Sequence, residues 1–170
     1  ATVDKTALNE AITAAEALAE ADYSKRSWSN LQAVLTSAKA VANNVDATQE
    51  EVDAATANLT AKKEALVNIS ALNEAIATAK AKLQEADKYT EESVSALQSL
   101  LATAEYVVGT TIGYYQEDAD MHTTNLNNAI AALQEKAPAV TVDKAALNEA
   151  IAAAEALAEA DYSRKSWSNL

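Results

Sequence analysis

Apolar residues fall along the chain in short stripes of helical period. Leu8, Ile12, Ala15 and Ala19, with Leu18 beside them, form a first stripe. Trp28, Leu31, Leu35, Ala38 and the pair Val41/Ala42 form a second, and Val52, Ala55, Leu59, Lys62 and Leu66 a third. Steps of three and four put each set on one face of an α-helix. Polar residues punctuate the stripes. Asp22-Tyr23-Ser24 precedes the second, where the Ser24 oxygen is placed to accept a bond from a free backbone N–H. Thr48-Gln49-Glu50-Glu51 reads as a capping box that opens the third. Asn43-Asn44 is the expected stop of the second helix, because Asn tolerates left-handed backbone. No segment alternates apolar and polar over a strand's length. The breaks are short, so the prediction is all-α, with successive helices antiparallel in a three-helix bundle.

The pattern repeats. Val3–Leu31 and Val142–Leu170 differ at four positions: Thr6/Ala145, Thr13/Ala152, Lys25/Arg164 and Arg26/Lys165. A diverged copy lies between them: Ala7-Leu8-Asn9-Glu10-Ala11-Ile12 returns as Ala71-Leu72-Asn73-Glu74-Ala75-Ile76, and Gln49, Leu59 and Leu66 answer to Gln116, Leu126 and Leu133. The expected organisation is a first three-helix unit over 1–68, a second over 69–137, a linker at 138–141 and the truncated start of a third unit over 142–170. Such a chain is expected to be an excerpt of a longer array, in which each unit stacks on its neighbours.

The two junctions read differently. From Val52 to about Asp87 there is no Gly or Pro, and Leu59, Leu66, Ile69, Leu72, Ile76 and Leu83 keep roughly heptad spacing. This predicts a continuous helix shared by units one and two, and with it an elongated rod. Asn68-Ile69-Ser70 is its weakest point by helix propensity. At the other junction Pro138 removes a donor and disfavours helix at Ala137, so a linker is expected, with Thr141 or Asp143 starting the next helix.

Composition sharpens the picture. Of 170 residues, 49% are hydrophobic, but 42 are alanine and none is phenylalanine. That favours thin bundles of closely approaching helices over one large core. The absence of cysteine excludes disulfides, thiolate catalysis and Cys-ligated zinc. A net charge of −12 and a pI near 4.4 argue against a nucleic-acid partner. No apolar run approaches the ~18 residues of a membrane span, so no membrane insertion is expected. The first residues carry neither a basic nor an apolar signal-peptide region.

Leu-Asn-Glu-Ala-Ile, followed by Tyr23-Ser24-x-x-Ser27-Trp28, then Ala47-Thr48-Gln49-Glu50-Glu51-Val52-Asp53-x-Ala55 and a leucine-spaced closing helix, resembles the FIVAR repeat. Unit two departs from the pattern by placing Val94 where the tryptophan belongs. The resemblance implies three-helix modules of Gram-positive cell-surface or secreted proteins, located outside the cell. It implies a stalk or spacer role in an adhesin. Alternatively, it implies binding to a host matrix protein such as fibronectin, binding to a glycan, or service as an accessory module of a secreted carbohydrate-active enzyme. The family shares no catalytic residues, so none is assigned here, and no cofactor is implied.

Few residues stand out as sites. Tyr23 and Trp28, repeated as Tyr162 and Trp167, are expected to cap the core end of the bundle rather than bind a ligand. Both glycines, the single His and the single Met of the chain fall between Gly109 and His122, together with Tyr114 and Tyr115. Unit one has Asn43-Asn44-Val45-Asp46-Ala47-Thr48 there, one residue shorter. Tyr114, Tyr115 and His122 are therefore the candidate contacts for a protein or glycan, since function concentrates on loops carried by rigid scaffolds. Asp118 and His122 stand one helical turn apart but lack a third convergent ligand, so no metal is expected. The third unit's Leu147, Ile151, Ala154 and Leu157 lack partner helices, which predicts fraying or contact between chains.

Overall fold

The computed structural model describes residues 2–138, 142–157 and 163, and among these the chain is helical with no strand. Residues 1–136 form one compact unit and residues 137–170 another. In the first unit, α1 (Thr6–Glu16), α2 (Lys25–Asn43) and α3 (Gln49–Glu64) make one three-helix bundle. A second follows from α4 (Ser70–Leu83), α5 (Glu91–Gly109) and α6 (Gln116–Ala131). The second compact unit carries α7 (Ala145–Glu155).

The helical stripes become the cores. Leu8, Ile12 and Ala15 of α1 meet Leu31, Leu35 and Ala38 of α2 and Val52 and Leu59 of α3, all buried. Leu72, Ile76 and Ala79 meet Leu97, Leu101, Ala104, Ala119 and Leu126 in the second bundle. With alanines such as Ala15, Ala38, Ala79 and Ala104 among the buried residues, each core is a thin column. Across the α1–α2 and α4–α5 faces the two bundles reverse an ion pair: Glu16 with Lys39 in one, Lys80 with Glu105 in the other, each at 2.6 Å.

Helix starts follow the sequence. The Ser24 hydroxyl accepts from the Ser27 N–H at 3.4 Å. Thr48 and Glu51 close a reciprocal box, with Glu51 N–H donating to Thr48 Oγ1 at 3.2 Å and Thr48 N–H to Glu51 Oε2 at 2.7 Å. One device recurs three times: Asp4, Asn68 and Asp143 each accept the backbone N–H two residues on, at 2.9, 2.9 and 2.8 Å. Helix α2 does stop at Asn43, but Asn44 is extended at φ −75°, not left-handed. The Lys5 ammonium instead satisfies the helix end, donating to the Ala42 and Asn44 carbonyls at 2.9 and 2.6 Å.

The expected continuous helix between the units is absent. Helix α3 ends at Glu64 and α4 begins at Ser70. Between them Val67 and Ile69 are buried while Asn68 is exposed, a three-residue in–out–in alternation. This segment pairs with the α1–α2 turn: Ser24 N–H donates to the Val67 carbonyl at 2.9 Å, and Ile69 N–H to the Asp22 carbonyl at 2.8 Å. Leucine spacing alone matched a helix. The two β-branched residues flanking Asn68 bury equally well from an extended backbone, which also satisfies the turn. Repeat two closes the same way, with Thr90 N–H donating to the Gln134 carbonyl and Lys136 N–H to Lys88, both at 2.8 Å.

The junctions therefore differ by length. Asn68 both pairs with Tyr23 as the exit of the first bundle and accepts the Ser70 N–H that begins α4 as the entry to the second. After the second bundle these jobs belong to different residues: Glu135 pairs with Tyr89, and Asp143 accepts the Ala145 N–H that begins α7. In α7 the stripe residues Leu147 and Ile151 are 58% and 46% exposed, whereas their counterparts Leu8 and Ile12 are 0% and 9% exposed. Tyr162 and Trp167 lie outside the described residues.

Candidate functional site

The two bundles meet around Asn68 and the α5–α6 loop. Gln116, the first residue of α6, reaches back to Asn68. Asn68 N–H donates to Gln116 Oε1 at 2.7 Å, and Gln116 Nε2 donates to the Asn68 carbonyl at 3.0 Å and to Asp120 Oδ1 at 2.9 Å. Gln49 does the same to Asp4 within repeat one, at 2.8 and 3.0 Å, and also holds Asp53. Lys25 extends from α2 to the Gly109 carbonyl at 3.1 Å. Arg26 lies across Gly113, where an added Cβ would stand 3.0 Å from Arg26 Cδ and 3.2 Å from Nε. Gly113 is thus a site of close approach between the repeats, and its φ is not positive.

A cavity of about 480 Å³ opens at this junction, lined by Arg26, Asn30, Glu64, Leu66, Tyr115 and Glu117 among others. A smaller cleft of about 280 Å³ lies beside it, walled by Tyr106, Ile112, Gly113, Tyr114, Asp118 and His122.

The three candidate contact residues do not converge on one cleft. Tyr114 is half-buried, packs against the core of repeat two and borders both cavities. It stands where repeat one has the buried Ala47, and the core makes room by replacing Val52 with Ala119. Its hydroxyl is shut off from solvent and completes no hydrogen bond. Burial pushes the phenol above its usual value of 10.0, while the neighbouring Ser24 pulls partly the other way. Tyr115 is 77% exposed and borders the larger cavity. Its N–H donates to Asp118 Oδ2 at 2.9 Å, which opens α6. His122 is half-buried and lines the smaller cleft.

Tyr23 and Trp28 stack in parallel, with ring centroids 6.0 Å apart and planes 4° apart, and Trp28 packs on the core of repeat one. Among the described residues no three His, Cys, Asp or Glu side chains are grouped to hold a metal ion, and no helix is long and apolar enough to cross a membrane.

Sequence reasoning missed Tyr106 and, within Gly109–His122, did not name Ile112 or Met121 as contacts; all three are exposed at the α5–α6 end. The signal was present in the repeat itself. Aligned on Ala38/Ala104 and Gln49/Gln116, these residues stand opposite Ala40, Val45 and Ala54.

Short exit segments folded back on their own bundles, the first joined to the next bundle through one shared residue, define a tandem three-helix repeat module. The FIVAR domain matches residues 4–67 and 68–134, so the chain belongs to the FIVAR domain family. FIVAR domains are non-catalytic modules that occur in cell-surface proteins. The chain is 50% identical over 68 residues to the zinc metalloprotease ZmpB of Streptococcus pneumoniae serotype 4, a match covering 40% of this chain and 4% of that protein. It is 34% identical over 171 residues to the polysaccharide lyase 8 family protein HylA of Enterococcus faecalis, covering 97% of this chain and 12% of that protein. It thus spans a small part of the length of either relative. No solved structure matches it.

Proposed function

We propose that this segment is a spacer and accessory module of a larger extracellular or cell-wall-attached protein, holding the domains on either side of it at a set separation. The observation that carries this reading is Asn68. One residue ends the first bundle and starts the second, and Gln116 fastens it from the far side. No free linker intervenes to absorb rotation between bundles, so orientation passes from one repeat to the next. A stalk in an adhesin and an accessory segment beside a catalytic domain both use this property. The printed names of the two relatives, a metalloprotease and a polysaccharide lyase, favour the second setting.

The test is a pair of spin labels at Thr36→Cys and Thr103→Cys, both exposed and one in each bundle. A single narrow distance distribution supports a spacer. A distribution as broad as that of a flexibly tethered pair overturns it.

A further inference from the structure

Repeat one is an internal control for repeat two. Over α2 and α3, residues 25–64, it carries Lys25, Arg26, Lys39, Lys62 and Lys63 against Asp46, Glu50, Glu51, Asp53 and Glu64, and is neutral. Over α5 and α6, residues 91–131, repeat two has no Lys or Arg, and bears Glu91, Glu92, Glu105, Glu117, Asp118 and Asp120. The same hairpin has thus gone from neutral to a charge of −6. Its loop end has also become apolar. Tyr106, Ile112, Tyr115 and Met121 replace Ala40, Val45, Thr48 and Ala54, and stand between 50% and 77% exposed. Tyr106 and Ile112 flank the 280 Å³ cleft, with Asp118 and His122 in its wall. Met121 sits one turn beyond Asp118 on the same side of α6. Nothing in the bundle needs these side chains, because repeat one folds without them. Large exposed apolar groups flanking one cleft, as Tyr106 and Ile112 do, mark an interaction surface, and aromatic residues and Met are enriched in such surfaces.

We propose that the α5–α6 end of repeat two is a docking face for a cationic polypeptide segment with apolar anchors. Leucine or aromatic side chains of the partner enter the cleft between Tyr106 and Ile112. Its Lys or Arg residues face Asp118 in the cleft wall and the neighbouring Glu117, while Asp120 is held by Gln116 and contributes less. Charge selects the partner and speeds encounter, while the apolar contacts hold it. The cations already nearby lie at the junction side: Lys25, which is bonded to the Gly109 carbonyl, and Arg26, which lies over Gly113. Glu105 is paired with Lys80 and contributes less. Repeat one, with a neutral hairpin and Ala40, Val45, Thr48 and Ala54 at these positions, does not bind.

The experiment titrates the whole 170-residue chain with an acetylated, amidated peptide of alternating Lys and Leu, and follows backbone amide shifts. The expected shifts centre on Tyr106, Ile112–Tyr115, Asp118 and His122, spare Val45–Asp53, and weaken with added salt. A Tyr106→Ala/Ile112→Ser variant, whose circular dichroism should match the parent because both residues are exposed, is expected to bind about tenfold more weakly. An all-Lys peptide or an alternating Glu–Leu peptide that binds as well as the probe overturns the proposal. So do equal shifts in repeat one, or no shifts at all.

Discussion

The side-chain amide of Gln116 grips the backbone of Asn68 from both sides, accepting from its N–H at 2.7 Å and donating to its carbonyl at 3.0 Å. Gln49 holds Asp4 identically, but inside one bundle. Gln116→Ala is expected to cost on the order of 1–2 kcal/mol for two partly solvated hydrogen bonds, and to speed amide exchange at Asn68. Gln49→Ala should cost a similar amount and leave Asn68 protected. Equal loss of Asn68 protection in both variants would show that Gln116 has no special hold on the junction.

Much of this was legible beforehand. Periodicity placed the three helices of each bundle, and Thr48-x-x-Glu51 announced its own cap. The junction was not legible as a break. Leu59, Leu66, Ile69 and Leu72 fit a helix by spacing, and the competing signal was three residues long. What decided the matter was nonlocal: the α1–α2 turn offers the Ser24 N–H and the Asp22 carbonyl to an extended Val67-Asn68-Ile69. Spacing along one helix carries no record of a partner that far away in sequence. At the candidate site, the glycines and tyrosines singled out the loop that walls the smaller cleft. Position-by-position comparison with repeat one was needed to find Tyr106, Ile112 and Met121.

Acid should weaken the first bundle through its caps. The Thr48 backbone N–H, and then its hydroxyl, hold the Glu51 carboxyl below its usual 4.5. The Thr6 N–H, then its hydroxyl, do the same to Asp4 below 3.8. A carboxyl with a depressed folded-state pKa binds fewer protons folded than unfolded. Its contribution is present above the unfolded value and fades as pH falls through the folded one. Melting temperature is therefore expected to decline as pH drops below about 4.5. Glu51→Gln should flatten part of that decline, and a slope unchanged by Glu51→Gln would remove the cap from the explanation.

Tyr114 offers the opposite test. Its buried hydroxyl stands beside Ser24 without a well-formed hydrogen bond, so Tyr114→Phe is expected to leave stability unchanged or raise it by up to about 1 kcal/mol. The raised phenol pKa means the folded state keeps its proton longer than the unfolded chain. Its titration therefore leaves stability undiminished below 10.0 and lowers it as pH rises through the folded value. Ultraviolet titration should show a late-ionising component that disappears in Tyr114→Phe, along with part of the alkaline loss of stability. Destabilisation by more than about 1 kcal/mol would mean the hydroxyl is bonded after all.

Helix α7 tests how much of this fold comes from packing rather than propensity. Its sequence differs from that of α1 only at Ala145 and Ala152, and alanine is the better helix former at both. Propensity alone therefore ranks α7 above α1. Yet α1 buries Leu8 and Ile12 fully or nearly so, while Leu147 and Ile151 stand about half exposed. An isolated helix of fewer than about 12 residues is marginal in water even when alanine-rich. Amides of α7 are expected to exchange far faster than those of α1. Leu8→Ala should cost several kcal/mol, roughly 2–5, through transfer and cavity terms, while Leu147→Ala should cost almost nothing. Equal protection of the two helices in a monomer would contradict this. If protection of α7 rises with protein concentration, its apolar stripe is being covered by another chain, and light scattering would register the association at the same concentrations.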